Sequence, residues 1–314
     1  MITKEAKNTD LNVKNRYFTK SARNAFLHVL RYIKSKNDKP ILLPAYIGIN
    51  DYEGSGVFDS VFISRIPYAF YPLDHKLNVD FDVLKAKIAS EEYSALMLIH
   101  YFGFPTQQFE EIVALCQKHH VLLIEDCAHV INGEFKGKKL GEFGDFSFYS
   151  IHKSIAAMDG GMLKINNPSL ADFPAICPLK EGISVSTLTQ LLRSDLDEID
   201  EKRRNNYNYL LQGLAKSSHF SVMQPELPAG IAPLNFPVLI HNAQREKIYF
   251  DLLKEGVLTM ALYYRMIPQL NRAVFPLAYE VSEQILNFPI HQEIEKADLD
   301  KMITVFNSLI NKLN

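Results

Sequence analysis

The chain has 314 residues, of which 47% are hydrophobic and 22% charged, with a formal net charge of -2. This ordinary globular composition allows one large α/β domain plus a smaller one, and it argues against nucleic acid or another polyanion as the main partner. The apolar runs, such as Ala95 to Ile99, are too short to span a bilayer, and the polar stretch Met1 to Arg16 lacks the apolar core of a signal peptide. Cys116, Cys127 and Cys177 are few and unclustered, which fits a reducing cytoplasm.

In chain order, Ser21 to Lys34 reads as a helix, with Ala22, Ala25, Phe26, Val29, Leu30 and Ile33 at helical spacing and Ser21 as its N-cap. Ile41 to Pro44 is a short buried strand, and Tyr93 to His100 another, closed by the turn Gly103-Phe104-Pro105. Phe109 to His119 is an amphipathic helix, and Val121 to Asp126 a third buried strand. Short apolar strands alternating with helices indicate a mostly parallel sheet covered on both faces. Gly133 to Lys138 looks like a small hairpin, and strands at Asp145 to Ser150 and Gly161 to Ile165 flank a loop that holds Lys153. A charge-rich helix, Asp195 to Leu214, leads into a second domain. Strands near Pro233 to Ile240 and Val257 to Tyr264 and helices at Gln244 to Lys254 and Ala297 to Leu313 belong there. The expected division is 1–194 for a large cofactor-binding domain and 195–314 for a small C-terminal α+β domain.

Lys153 follows Asp126 by 27 residues. An acid at the carboxyl end of a buried strand, then a lysine at the mouth of the next strands, suits pyridoxal 5'-phosphate: the amine can hold the aldehyde as a Schiff base, and the carboxylate can keep the pyridine nitrogen protonated. The plain alternative for Lys153 is a surface lysine beside a turn. Against it, the loop runs into Gly160-Gly161, where small residues let backbone or ligand approach closely. Asp126 sits where ligands of open α/β sheets gather; otherwise it is a helix cap or a metal ligand, although no carboxylate–histidine cluster at ligand spacing accompanies it. His129 is either a second group facing the same pocket, near the ring oxygen of the cofactor, or a structural histidine. Ser21-Ala22-Arg23 opens the first long helix, so its N–H groups, hydroxyl and guanidinium suit a phosphate; the alternative is an ordinary cap with a solvated arginine.

These residues resemble the DegT/DnrJ/EryC1/StrS sugar aminotransferases, a branch of fold-type I pyridoxal phosphate enzymes. The likeness is carried by Ser-Ala-Arg-Asn-Ala-Phe at 21–26, Leu-Pro-Ala-Tyr at 43–46, His-Tyr-Phe-Gly at 100–103 and Ile-Glu-Asp-Cys-Ala-His at 124–129. It continues through Gly-Asp-Phe-Ser-Phe-Tyr-Ser-Ile-His-Lys at 144–153, Asp-Gly-Gly-Met at 159–162 and Ile285 to His291. The resemblance implies a three-layer sandwich and a homodimer with active sites at the subunit interface. It further implies amino transfer from an amino acid such as glutamate to a keto sugar, usually nucleotide-linked. By matching position, Lys153 would be the Schiff-base lysine, Asp126 the pyridine partner and His129 the residue near the ring oxygen. Ser150, Ser21, Ala22 and Arg23 would hold the phosphate.

The chain also departs from the family. It is shorter than many relatives, and the Gly-Tyr-Asn segment that reaches the neighbouring subunit's phosphate has no clear counterpart between Lys180 and Asp195. Ile47-Gly48 stands where relatives place an aromatic that stacks on the cofactor, which leaves Tyr46 as the substitute. Two other functions compete. Ser-x-His-Lys also resembles the lysine segment of cysteine desulfurases and related lyases, which need a reactive cysteine near the pocket. A non-catalytic dimeric binding module on the same scaffold is the other.

Overall fold

The computed structural model describes residues 15–174 and 181–313. Its main sheet has seven strands: β1 (Arg16–Thr19), β2 (Ile41–Pro44), β3 (Tyr68–Tyr71), β4 (Ala95–Ile99), β5 (Leu122–Cys127), β8 (Phe146–Ser150) and β9 (Gly161–Ile165). Their order is β1-β9-β8-β5-β4-β2-β3. β2, β3, β4, β5 and β8 run parallel, and β9 is antiparallel to both of its neighbours, β8 and β1. β2, β4 and β8 are buried at every residue, the signature of a sheet covered on both faces. Helix α1 (Ala22–Lys36) buries Ala25, Phe26, Val29, Leu30, Tyr32 and Ile33 against the sheet, with Phe26 stacked on Phe148 at 4.9 Å. Helices α2 (Phe58–Ser64), α3 (Phe81–Ala89) and α4 (Phe109–Lys118) fill the crossovers, and β6 (Glu134–Phe135) with β7 (Lys138–Lys139) forms the expected hairpin.

Helix α5 (Val185–Arg193) precedes the long α6 (Leu196–Gly213), whose N-cap Asp195 accepts from the Asp197 and Glu198 N–H groups. A second, three-stranded antiparallel sheet follows, ordered β10 (Phe220–Val222), β11 (Asn235–Ile240), β12 (Ile285–Pro289). It packs with α7 (Arg245–Lys254), α8 (Pro276–Gln284) and α9 (Lys296–Asn311). The expected strand at 257–264 does not form. The apolar run Val257 to Tyr264 makes a single bridge, Met260 to Asn287 of β12, and then turns, because Tyr263 adopts the left-handed region at φ 62°. The bridge falls on the outer edge of β12, so the sheet stops at three strands there. From there the turn leads back to the main sheet, where Ile49 N–H donates to the Arg265 carbonyl and Ile267 N–H to the Ile47 carbonyl. Cys177 lies outside the described residues.

Candidate active site

The parallel strands β2, β4, β5 and β8 end on one edge of the sheet, the edge on which ligands of open α/β folds collect. Because β9 runs the other way, its first residue, Gly161, lies on that same edge, paired with Ser150 on one side and Thr19 on the other. Thr19 leads directly into Ser21 and the start of α1. One edge therefore carries Asp126, His129, Ser150, Lys153 and the amino end of α1.

Glycine at 161 is required by contact. A Cβ there would lie 2.1 Å from the Ser21 carbonyl carbon and 2.4 Å from the Ala22 nitrogen. The amino end of α1 is thus pressed against the strand beside the lysine loop. Ser21 caps it, its Oγ accepting from Asn24 N–H at 3.2 Å and donating to Asn24 Oδ1 at 2.6 Å. The N–H groups of Ala22 and Arg23 have no acceptor within the helix, so they are free in direction to meet an anion. The Arg23 guanidinium is engaged elsewhere: it pairs with Asp59 at 3.2 Å and donates to the Glu53 carbonyl at 2.8 Å. Arg23 therefore offers its backbone to the site, while its charge ties down the 50–59 loop.

Asp126, at the end of β5, is buried, and its Oδ1 accepts from Ala128 N–H at 2.8 Å. Burial pushes its carboxyl up to about 6, opposed by that N–H and by the nearby Lys153 and His100. Lys153 closes a short 3-10 turn after β8 (Ile151–Lys153); water reaches its side chain, but the walls around it still lower the amine below the usual lysine range, against the pull of Asp126 and Glu53. A lysine and an aspartate that each shift the other belong to one electrostatic site. His129 is buried, and its Nδ1 accepts from Phe102 N–H at 3.0 Å. That bond places the proton of the neutral ring on Nε2, and burial with the Lys153 charge holds the ring neutral. Ser150 Oγ lies 3.4 Å from His152 Nδ1.

Behind Asp126, the neighbouring Glu125 accepts from His100 Nε2 (3.0 Å) and from the N–H groups of Gly141, Phe143 and Gly144. His100, Glu125 and Cys127 lie close enough to share a cation. Both Glu125 oxygens are already committed to these donors, so Glu125 and His100 form a buried hydrogen-bonded pair beside Asp126 in sequence.

Tyr46 is fully buried, so its ring has no face open to the pocket as a stacking residue needs; it packs against Tyr101 (5.5 Å) and Tyr263 (5.3 Å), and its hydroxyl has no partner. Tyr263, which sequence reasoning missed, reaches in from the C-terminal part. Its hydroxyl is 3.5 Å from His129 Nε2, and both burial and Asp126 raise its phenol. A Cβ on Gly48 would stand 2.6 Å from the Tyr263 ring, so the small residue that interrupts the family pattern makes room for this tyrosine.

The buried acid, the lysine it shifts and the bare helix start fit pyridoxal 5'-phosphate: carboxylate for the ring nitrogen, amine for the aldehyde, backbone N–H groups for the phosphate. Together with a single antiparallel strand in an otherwise parallel seven-stranded sheet, they define a fold-type I aminotransferase scaffold.

Comparison with known proteins agrees. The profile of the DegT/DnrJ/EryC1/StrS aminotransferase family matches residues 68–184 and 179–307, and the chain belongs to that family. One relative is the UDP-N-acetyl-3-dehydro-alpha-D-glucosamine 3-aminotransferase of Acidithiobacillus ferrooxidans, 26% identical over 246 residues, 69% of this chain but only 64% of that protein's length. Among solved structures, Helicobacter pylori PseC, an aminotransferase involved in the biosynthesis of pseudoaminic acid, superposes with a TM-score of 0.77 at 19% identity, over 96% of this chain and 88% of that one. Streptococcus pneumoniae Spr1654 in its PLP form does so with a TM-score of 0.80 at 16% identity, over 95% and 88%.

Proposed function

We propose that the protein uses pyridoxal 5'-phosphate to move an amino group from an amino acid such as glutamate to a keto sugar carried on a nucleotide. The observation that carries this reading is geometric: Asp126 at the end of β5 and Lys153 in the turn after the neighbouring β8 stand together on the ligand edge of the sheet, near enough for their charges to act on each other. The cofactor supplies an aldehyde for a lysine amine and a protonated ring that accepts the electron pair left when a carbon acid loses its proton. Asp126 would keep that ring nitrogen protonated, and its own ionised form, costly in a buried place, would be stabilised by the positive ring. Lys153, with its amine pulled below the usual range, has a larger neutral fraction for attack on carbonyl carbon and for carrying a proton. His129, neutral with Nε2–H, would donate to an oxygen on the ring. The Ser150 hydroxyl and the Ala22 and Arg23 N–H groups would hold the phosphate, and Ser21, whose hydroxyl proton is given to Asn24, would serve by capping the helix that presents them. The nucleotide-linked sugar is supported by the name of the Acidithiobacillus relative.

A desulfurase-like reaction finds no support among the described cysteines. Cys116 and Cys127 are buried, which pushes the Cys116 thiol up to about 12 and the Cys127 thiol well above its usual range. The proposal extends to a division of the chain at 194/195, a homodimer and a cytoplasmic setting. No helix among the described residues is long and apolar enough to cross a membrane.

The test is direct. Protein mixed with pyridoxal 5'-phosphate should gain visible absorbance, and borohydride should fix the cofactor on the peptide that carries Lys153. Lys153→Ala should hold cofactor only non-covalently and lose amino transfer by several orders of magnitude. Near-normal turnover in that variant would remove the reading. A screen of nucleotide-linked keto sugars, following conversion of the cofactor between its aldehyde and amine forms, then identifies the acceptor.

A further inference from the structure

Arg203 lies on α6, far along the chain from the lysine turn, and is 4% exposed. Its Nη2 donates to the carbonyls of Lys153 (3.3 Å) and Ser154 (3.2 Å). Nε and Nη2 both donate to Gln292 Oε1, each at 3.2 Å. Gln292 closes the figure, its Nε2 donating to the same Ser154 carbonyl at 3.0 Å. Gln292 is held in turn by α6, because Asn206 donates to the carbonyls of Ile290 and His291 just before it.

A buried guanidinium is expensive, and a hydrophobic side chain of similar volume usually serves a helix face better. Here burial is severe enough to lower Arg203 to about 10, and Asp200, one turn earlier, offsets it only at longer range. Among the described residues the other titratable group acting on it is His291, which burial favours in its neutral form. Among the described residues no carboxylate lies within ion-pair distance of Arg203. Its acceptors are two main-chain carbonyls of the lysine turn and the amide that shares one of them. A planar fork of five donors is suited to holding several oxygens in one plane, and a lysine in its place could not.

We propose that Arg203, with Gln292, is a positioning residue: together they fix the backbone from which the Lys153 side chain projects, so that Nζ meets the cofactor aldehyde in one orientation. This rests on the reading of Lys153 as the cofactor lysine. The turn that carries it is only three residues long; its own backbone bonds join Ile151 to Gly160, Ser154 and Ile155, and the carbonyls of Lys153 and Ser154 are the ones that Arg203 and Gln292 hold. Displacing a reacting atom by about 1 Å can cost as much as a hundredfold in rate.

The experiment uses the full chain and pyridoxal 5'-phosphate as the probe. The rate of borohydride-fixable attachment to Lys153 and the pH midpoint of the visible absorbance are measured for the parent, Arg203→Lys and Gln292→Ala. The same two substitutions are then placed in Lys153→Ala, where only non-covalent cofactor affinity is read. Both should slow attachment by about tenfold and move the pH midpoint, yet leave affinity in Lys153→Ala within about twofold. Equal losses in the two backgrounds would make Arg203 a general scaffold residue and overturn the inference, as would unchanged attachment. If Arg203→Lys does not fold, Gln292→Ala, whose side chain is only half-buried, decides alone. A parent chain that never attaches cofactor at Lys153 is a separate result, which removes the cofactor reading and this inference with it.

Discussion

Asp126 carries a cost that its partner is meant to relieve. In the cofactor-free protein its carboxyl is raised from 3.8 to about 6 by burial. The folded form therefore holds the proton more tightly than the unfolded chain. Stability contributed by the protonated acid is complete below pH 4 and is lost as the pH rises from about 4 to about 6. The loss amounts to about 3 kcal/mol. Asp200, raised to about 6 in the same way, adds to this window, so a difference measurement is needed. Asp126→Asn should flatten its share of the decline, making the variant more stable than the parent at pH 7 without cofactor while slowing amino transfer. Denaturant unfolding at pH 4 and pH 7 checks this; an unchanged pH slope would show that Asp126 ionises freely. At the same scale, Tyr263 fills the space over His129 and adopts a backbone conformation that L-residues rarely take, at a cost of order 1–2 kcal/mol. That strain coincides with the site, as strain often does.

Between elements, the decisive contact is the amino end of α1 against the first residue of β9. Gly161→Ala would drive a methyl group into the Ser21 and Ala22 backbone, with no flexible side chain to yield. We expect a loss of about 2–4 kcal/mol in unfolding free energy and weaker cofactor retention; Gly137→Ala, where the same group meets nothing within 4 Å but a φ of 78° strains the backbone by about 1–2 kcal/mol, should leave retention unchanged. Similar retention in the two variants would separate the helix start from the phosphate. The sequence made this junction half readable. The α1 stripe, the apolar runs of β2, β4, β5 and β8, and the acid and lysine at strand ends are local patterns, and each stands where its pattern puts it. What escaped is set by contacts between distant segments. Val257 to Tyr264 has strand-like composition, but it leaves the edge of β12 after one bridge and turns at Tyr263 toward the main sheet. Arg203 sits in the run Glu201-Lys202-Arg203-Arg204, which reads as a solvated helix face. Its spacing from Tyr207 and Leu210, four and seven residues on, would have placed it on the buried stripe. Tyr46 matched a motif, yet the tyrosines around it, invisible in a linear reading, close over its ring.

For the whole molecule, three segments linked to the lysine loop carry exposed apolar side chains. Tyr52 is 98% exposed beside Glu53, Met158 is 97% exposed at the far end of the lysine loop, and Val185 is 80% exposed next to Ser184, which donates to Asp159. Apolar groups left bare around a reaction site favour cover by another surface, in keeping with the proposed homodimer. Sedimentation at micromolar protein should give the mass of two chains, and Tyr52→Lys with Met158→Lys should shift it toward one. A monomer that turns over substrate would sink the assembly. The pairing of β1 with β9 has a kinetic consequence as well. Thr19 meets Gly161 and Ser21 backs onto it, although some 140 residues separate them along the chain. The anion-binding end of α1 thus depends on one of the longest loop closures in the molecule, whereas the acid and its histidine arise within a few residues of each other. During refolding, ring recognition should become available early and phosphate recognition late. Pyridoxal and pyridoxal 5'-phosphate added at successive delays would tell these two moments apart, which makes the cofactor's own phosphate a clock for the last stage of folding.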